Sequence, residues 1–190
     1  MVHLEIPVKE FQERLKSVRT AMQERGLDAL LIVSPPYSLG TLCGNIRYLT
    51  GWSDKNRPSL FVVPLDNEPT SIVGYTSRIA AKNSQKLGDV KVCECGNYGE
   101  EAKKELNPLR RESCIGVIGF EEVPAVYFES IKKAFGGCVF KNVLDILESL
   151  RSVKSETEIS LMKEAARLSD LMLESLLNVG KEDALGFKVR

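Results

Sequence analysis

The side chains best suited to recognition chemistry stand together in Asn45-Ile46-Arg47-Tyr48-Leu49-Thr50-Gly51-Trp52, which continues to Asn56-Arg57-Pro58. Two aromatic rings and two guanidiniums occupy a stretch that follows one apolar run and precedes another. At a strand end such side chains could line a cleft, with Arg57 offering a planar fork to a carboxylate. A plainer role is equally open, in which Tyr48 and Trp52 close the core beneath an irregular loop. Tyr48, Trp52 and Arg57 are the candidate site residues.

Other chemistries find little to work with. His3 is the single histidine, and near the amino terminus it has no neighbouring ligand or acid–base partner. A Ser/His/Asp triad would have to enlist it. Neither an H-E-x-x-H run nor paired C-x-x-C spacing is present. Cys93 and Cys95 would face the same side of a strand, but two sulfurs make an incomplete metal site, and free cysteines are common core residues. Gly116 with Gly119, and Gly136 with Gly137, lack the full glycine-rich nucleotide pattern and read as turn or close-packing glycines. No catalytic residue and no metal ligand is assigned.

Charge and hydropathy narrow the class further. Basic and acidic residues number 26 each, for a formal net charge of zero. No strong positive field draws in nucleic acid. The start, Met1-Val2-His3-Leu4-Glu5-Ile6-Pro7, lacks the basic residues and long apolar run of a secretory signal. No apolar stretch approaches the roughly 20 residues that span a bilayer. Five cysteines, odd in number and scattered, argue against a disulfide framework. A cytoplasmic protein with neither nucleic-acid nor membrane partners is expected.

The elements that must position the loop follow from periodicity. Phe11, Leu15, Val18 and Met22 recur at helical spacing, which predicts an amphipathic helix over 8–25 with Gly26 as its cap. Residues 28–34 read as a buried strand closed by Pro35-Pro36. Residues 35–58 read as irregular. Residues 59–64 and 70–75 suit a hairpin around Asp66-Asn67-Glu68. Helices near 76–87, 100–110 and 124–135 alternate with strands near 90–95, 114–120 and 138–143. The expected fold is α/β, with a mixed sheet and flanking helices.

A boundary falls near Leu150–Ser155, where Ser155-Glu156-Thr157-Glu158 has capping-box spacing. The helix that follows, to about Val179, carries Ile159, Met162, Ala166 and Leu173 on one face and Leu161, Ala165, Leu168 and Met172 on another. So wide an apolar stripe calls for burial on two sides.

Two stretches resemble one family. The first is Arg14-Leu15, Arg19, Met22 and Gly26-Leu27-Asp28-Ala29-Leu30-Leu31, followed by Asn45-Ile46-Arg47-Tyr48-Leu49-Thr50-Gly51. The second is Leu150-Arg151-Ser152-Val153-Lys154-Ser155 with Glu158-Ile159, Met162 and Ala165-Ala166. Together they resemble the creatinase/prolidase/aminopeptidase P metallopeptidases. The resemblance implies a creatinase-type amino-terminal domain over 1–152, with a ribonuclease-H-like fold. Over 153–190 it implies the linker and first helix of a pita-bread catalytic domain.

Further expectations follow from the resemblance alone. The parent protein would be a metal-dependent Xaa-Pro dipeptidase or aminopeptidase acting on proline-containing peptides. Its divalent metals (Mn, Co or Zn) would be held in the catalytic domain, where a bridging hydroxide attacks the scissile amide. None of those ligands maps onto this chain, and Asp170 and Glu174 are not assigned in their place. The chain alone would then be inactive, its part being homodimer formation and substrate access, with Tyr48, Trp52 and Arg57 at the access site. Two alternatives share the domain: a non-catalytic protein-binding module, and a relative of the creatinase or lyase type.

Overall fold

The computed structural model describes residues 5–34, 44–54, 57–93, 96–106, 109–119, 121 and 124–179. His3, Pro35, Pro36, Asn56, Cys95 and residues 180–190 lie outside these. Two compact units are distinguished: Pro7–Ser152, and a second comprising Val153–Arg190 with Met1–Ile6.

The larger unit begins with helix α1, Val8–Glu24, which buries Phe11, Leu15, Val18 and Met22 as their spacing demands. Gly26 then adopts a positive φ of 63°, a conformation that costs glycine little, so the chain can turn at once into strand β1, Ala29–Ser34. After β1 comes a difference from the sequence reading. Residues 44–50 form helix α2, Gly44–Thr50, within a stretch expected to be irregular. Ile46 and Leu49 are three apart and both buried, a helical pair too brief to stand out between glycines.

Strands β2, Ser59–Pro64, and β3, Thr70–Gly74, form the expected antiparallel hairpin, with Leu60 opposite Ile72. A single 3-10 turn, Tyr75–Ser77, leads into helix α3, Arg78–Ser84. Then follow strand β4 (Asp89–Cys93), helix α4 (Tyr98–Glu105), strand β5 (Cys114–Ile118), helix α5 (Ala125–Ala134) and strand β6 (Val139–Asn142). Helix α6, Leu144–Ser152, fills a stretch to which the sequence reading gives no element.

The six strands form one mixed sheet in the order β4-β3-β2-β1-β5-β6. β2 pairs antiparallel with both of its neighbours, and every other pairing is parallel. Side chains alternate across the sheet, so β1 sends Leu31 and Val33 into one core and Leu30 and Ile32 into another. The first core is covered by α4 and α5 through Tyr98, Ala102, Ile131 and Ala134. The second is covered by α1, α2 and α6 through Val18, Met22, Leu49 and Leu147. All six residues of β1 are buried, as befits a central strand covered on both faces.

The smaller unit holds helix α7, Glu156–Val179. Its start is a capping box. The Ser155 hydroxyl accepts the Glu158 N–H at 3.1 Å, and the Glu158 carboxylate accepts the Ser155 N–H at 3.0 Å. Met162, Leu168, Met172, Leu173 and Leu177 are exposed along it. Among the described residues no helix is long and apolar enough to cross a membrane.

Close packing of α4 on α5 leaves Gly99 no room for a side chain. A Cβ there would collide with the backbone carbonyl of Ser130, which cannot swing aside. A helical Gly→Ala change ordinarily gains about 1 kcal/mol of helix propensity, and overpacking of this kind costs on the order of 1–3 kcal/mol or more. Gly99→Ala should therefore lower the urea-unfolding free energy. Gly136→Ala, whose Cβ would meet only the Lys133 carbonyl at 3.7 Å, should stay within about 0.5 kcal/mol of wild type.

Candidate functional site

Because only β2 runs against the others, its start lies at the same edge of the sheet as the carboxyl ends of β3 and β4. In open α/β sheets this edge is where ligands bind, since the loops there diverge and leave a crevice. Three segments meet at it: the end of α2 with its loop, the start of β2, and the turn after β3. They enclose a cleft of about 650 Å³ lined by Arg47, Trp52, Asp54, Arg57, Thr76 and Ser77, among others. A neighbouring hollow of about 580 Å³ shares Arg57 and Thr76 and runs on to Tyr75, Cys93, Tyr98 and Tyr127.

The loop that carries Trp52 is held from both ends. Gly51 takes a positive φ of 78°, and a Cβ there would lie 3.2 Å from the Phe11 ring and 3.0 Å from Lys86. The Thr50 hydroxyl accepts the Trp52 N–H at 3.1 Å and lies 2.7 Å from the Trp52 carbonyl oxygen and 2.9 Å from that of Ile46. The Lys86 N–H donates to the Thr50 carbonyl at 2.8 Å. Further on, the buried Asp54 carboxylate accepts the Arg57 N–H at 3.1 Å through one oxygen and the Ser77 hydroxyl through the other. Asp54 thereby ties the loop to the 3-10 turn after β3. A buried carboxylate is tolerated because its lone pairs are met by donors.

The three sequence candidates separate. Trp52 and Arg57 line the same cleft, with the indole half-buried against Val73, Ala81 and Val90. Arg57 and Arg47 are exposed, and among the described residues neither guanidinium forms an ion pair. An unpaired guanidinium beside an aromatic wall suits a planar anion such as a carboxylate.

Tyr48 is absent from that cleft and serves the core. Its ring lies 4.1 Å from the guanidinium carbon of Arg14, and Phe11 stands 5.3 Å away on the same cation. Arg14, only 6% exposed, also donates to the Tyr48 carbonyl at 2.7 Å and to the Glu10 carboxylate. The Tyr48 hydroxyl donates to the Leu150 carbonyl at 3.4 Å. Residue type alone does not point to Asp54 or Ser77. The signal was local in one case: an Asp three residues before Arg57-Pro58 is the spacing of a side-chain-to-backbone turn. Nothing local points to Ser77, which arrives from the 3-10 turn after β3.

The two sequence stretches that carry the family resemblance touch each other here. Arg151 donates to the Asn45 side-chain oxygen at 2.6 Å, beside the Tyr48–Leu150 bond. The second stretch is thus bonded to the first across 106 residues of chain. No group of three or more His, Cys, Asp or Glu side chains among the described residues could hold a metal ion.

Comparison with known proteins agrees with this architecture. The family model for the creatinase/prolidase N-terminal domain matches residues 14–153. An uncharacterized hydrolase/peptidase of Sinorhizobium fredii is 25% identical over 188 residues, covering 90% of this chain and 45% of its own. The Xaa-Pro dipeptidase of Pyrococcus horikoshii is 26% identical over 187 residues, with 93% and 46% covered. The crystal structure of the prolidase from that organism superposes with a TM-score of 0.70 at 21% identity, over 93% of this chain and 46% of that one. At that identity the likeness speaks for the fold. The chain spans about half the length of the curated relatives it matches.

Tyr98, at the back of the neighbouring hollow, gives the site a pH signature. Its buried hydroxyl donates to the Pro58 carbonyl at 2.7 Å, and burial pushes the phenol well above its usual value near 10. Above about pH 10 the unfolded chain would release this proton while the folded chain retains it, so stability falls as pH rises. The decline in unfolding midpoint from about pH 10 upward should be shallower in Tyr98→Phe than in wild type. Parallel slopes would show that Tyr98 titrates normally.

Proposed function

This chain belongs to the creatinase/prolidase N-terminal domain family, and we propose that it is the oligomerisation and substrate-access domain of a metal-dependent Xaa-Pro dipeptidase or aminopeptidase. The observation that carries the reading is the family match over residues 14–153 joined to relatives about twice as long. One of those relatives is an Xaa-Pro dipeptidase, and a proline-containing peptide is the substrate class assigned here. The residue set of the cleft supports an access role. Trp52 supplies an apolar wall for a proline ring, and Arg57, with Arg47, supplies a fork for a peptide's terminal carboxylate. Tyr48 takes part only by holding α2, from which the loop departs.

On this reading residues 1–152 form the amino-terminal domain, and residues 153–190 form the linker and first helix of the catalytic domain. Leucines and methionines exposed on more than one face of α7 suit a helix that further protein covers on two sides. The divalent metals, Mn, Co or Zn, belong to that catalytic domain, where one would polarise the scissile carbonyl and activate water. The protein acts in the cytoplasm as a homodimer formed through this domain.

Two measurements test the proposal. Highly purified chain supplied with Mn²⁺ or Co²⁺ should release no proline from Xaa-Pro dipeptides. Metal-dependent turnover that copurifies with the chain would overturn the division of labour proposed here. Light scattering of the same material should give the mass of a dimer. A strictly monomeric species at high concentration would remove the oligomerisation role and leave substrate access alone.

A further inference from the structure

Helix α2 is bonded at one end to the last turn of α6, where the chain leaves the larger unit, and it ends at the other in the cleft loop. We propose that Arg151 is a positioning residue for the Trp52–Arg57 cleft, acting through α2, so that the exit geometry of α6 sets the geometry of the cleft. Arg151 reaches the first turn of α2 by two contacts. It donates to the Asn45 side-chain oxygen at 2.6 Å. A guanidinium nitrogen of Arg151 also lies 2.7 Å from where a Cβ on Gly44 would stand. Only glycine lets the cation approach so closely.

A second tie runs from the Tyr48 hydroxyl to the Leu150 carbonyl at 3.4 Å, which satisfies one of the acceptors that a helix end leaves open. At the far end of α2, Thr50 and Gly51 fix the backbone of Trp52. Seven residues of helix span only about 10 Å, too few turns to absorb a displacement by gradual bending. Ile46 and Leu49 lock its body into a close-packed core. Asn45 is buried and would lose its partner if Arg151 moved alone. A shift of the α6 end therefore carries α2 and the Trp52 loop with it. The contacts stand whether or not the cleft admits a peptide, so this inference can fail independently of the proposed function.

Trp52 is the only tryptophan in the chain and sits in the cleft, so its fluorescence reports the loop directly. The test uses the full 190-residue chain under native conditions at room temperature. Arg151→Ala and Asn45→Ala should each red-shift Trp52 emission and raise its acrylamide quenching constant by on the order of twofold. Tyr48→Phe should move both in the same direction by less. Glu148→Ala, exposed on α6, should leave both at wild-type values. A purely structural role would lower the melting midpoint and leave the native emission baseline untouched. Should Arg151→Ala fail to fold, Arg151→Lys and Tyr48→Phe decide, since lysine keeps the charge without the planar fork. Unchanged emission and quenching in the folded variants would overturn the proposal, as would an equal shift in Glu148→Ala.

Discussion

A guanidinium buried beneath the first helix governs how the helical layer of this domain is assembled. The Arg14 guanidinium can sit out of water only if its donors and its charge are met. Glu10 supplies the charge from the preceding turn, the Tyr48 carbonyl supplies an acceptor from α2, and the rings of Phe11 and Tyr48 flank the cation. That set fixes the approach of α1 to α2. Through its hydroxyl, Tyr48 then extends the constraint to the carbonyl at the end of α6. One buried charge thus sets the relation of three helices lying on the same face of the sheet.

The cleft depends on the same arrangement at one remove. α2 is short and is held along its length, so the loop that follows it leaves from a fixed point. Asp54 receives that loop at the other side, binding Ser77 from the turn after β3. The direction of β2 completes the geometry. An antiparallel strand between parallel neighbours brings residues before β2 to the edge that residues after β3 also reach. Arg57 and Ser77 meet for that topological reason.

Much of the fold was legible from periodicity. α1 announced itself through Phe11, Leu15, Val18 and Met22, and the capping box at Ser155 through Glu158, because both patterns are local and repeat over several turns. The hairpin was equally plain, its turn residues lying between two apolar runs. α2 and α6 were not legible, for opposite reasons. α2 offers only two buried apolar residues between glycines, and α6 falls where the chain passes from one unit to the next. The site was half legible. Residue type picked out Trp52 and Arg57, and it equally picked out Tyr48, whose aromatic and polar ends suit a cleft as well as a core.

By itself the sequence determined the α/β class, the sign and balance of charge, and the family, since these rest on composition, spacing and short runs of neighbouring residues. Tertiary structure alone decided which of the two roles each ring takes. Tyr48 is drawn inward because Arg14 needs a carbonyl and a π-face within reach, whereas Trp52 lies past Gly51, whose positive φ turns the chain out to the sheet edge. It alone decided that Asn45 meets Arg151 and Asp54 meets Ser77. Each of those bonds joins distant parts of the chain, and strand order and direction bring such partners together without leaving a mark on the sequence around either one.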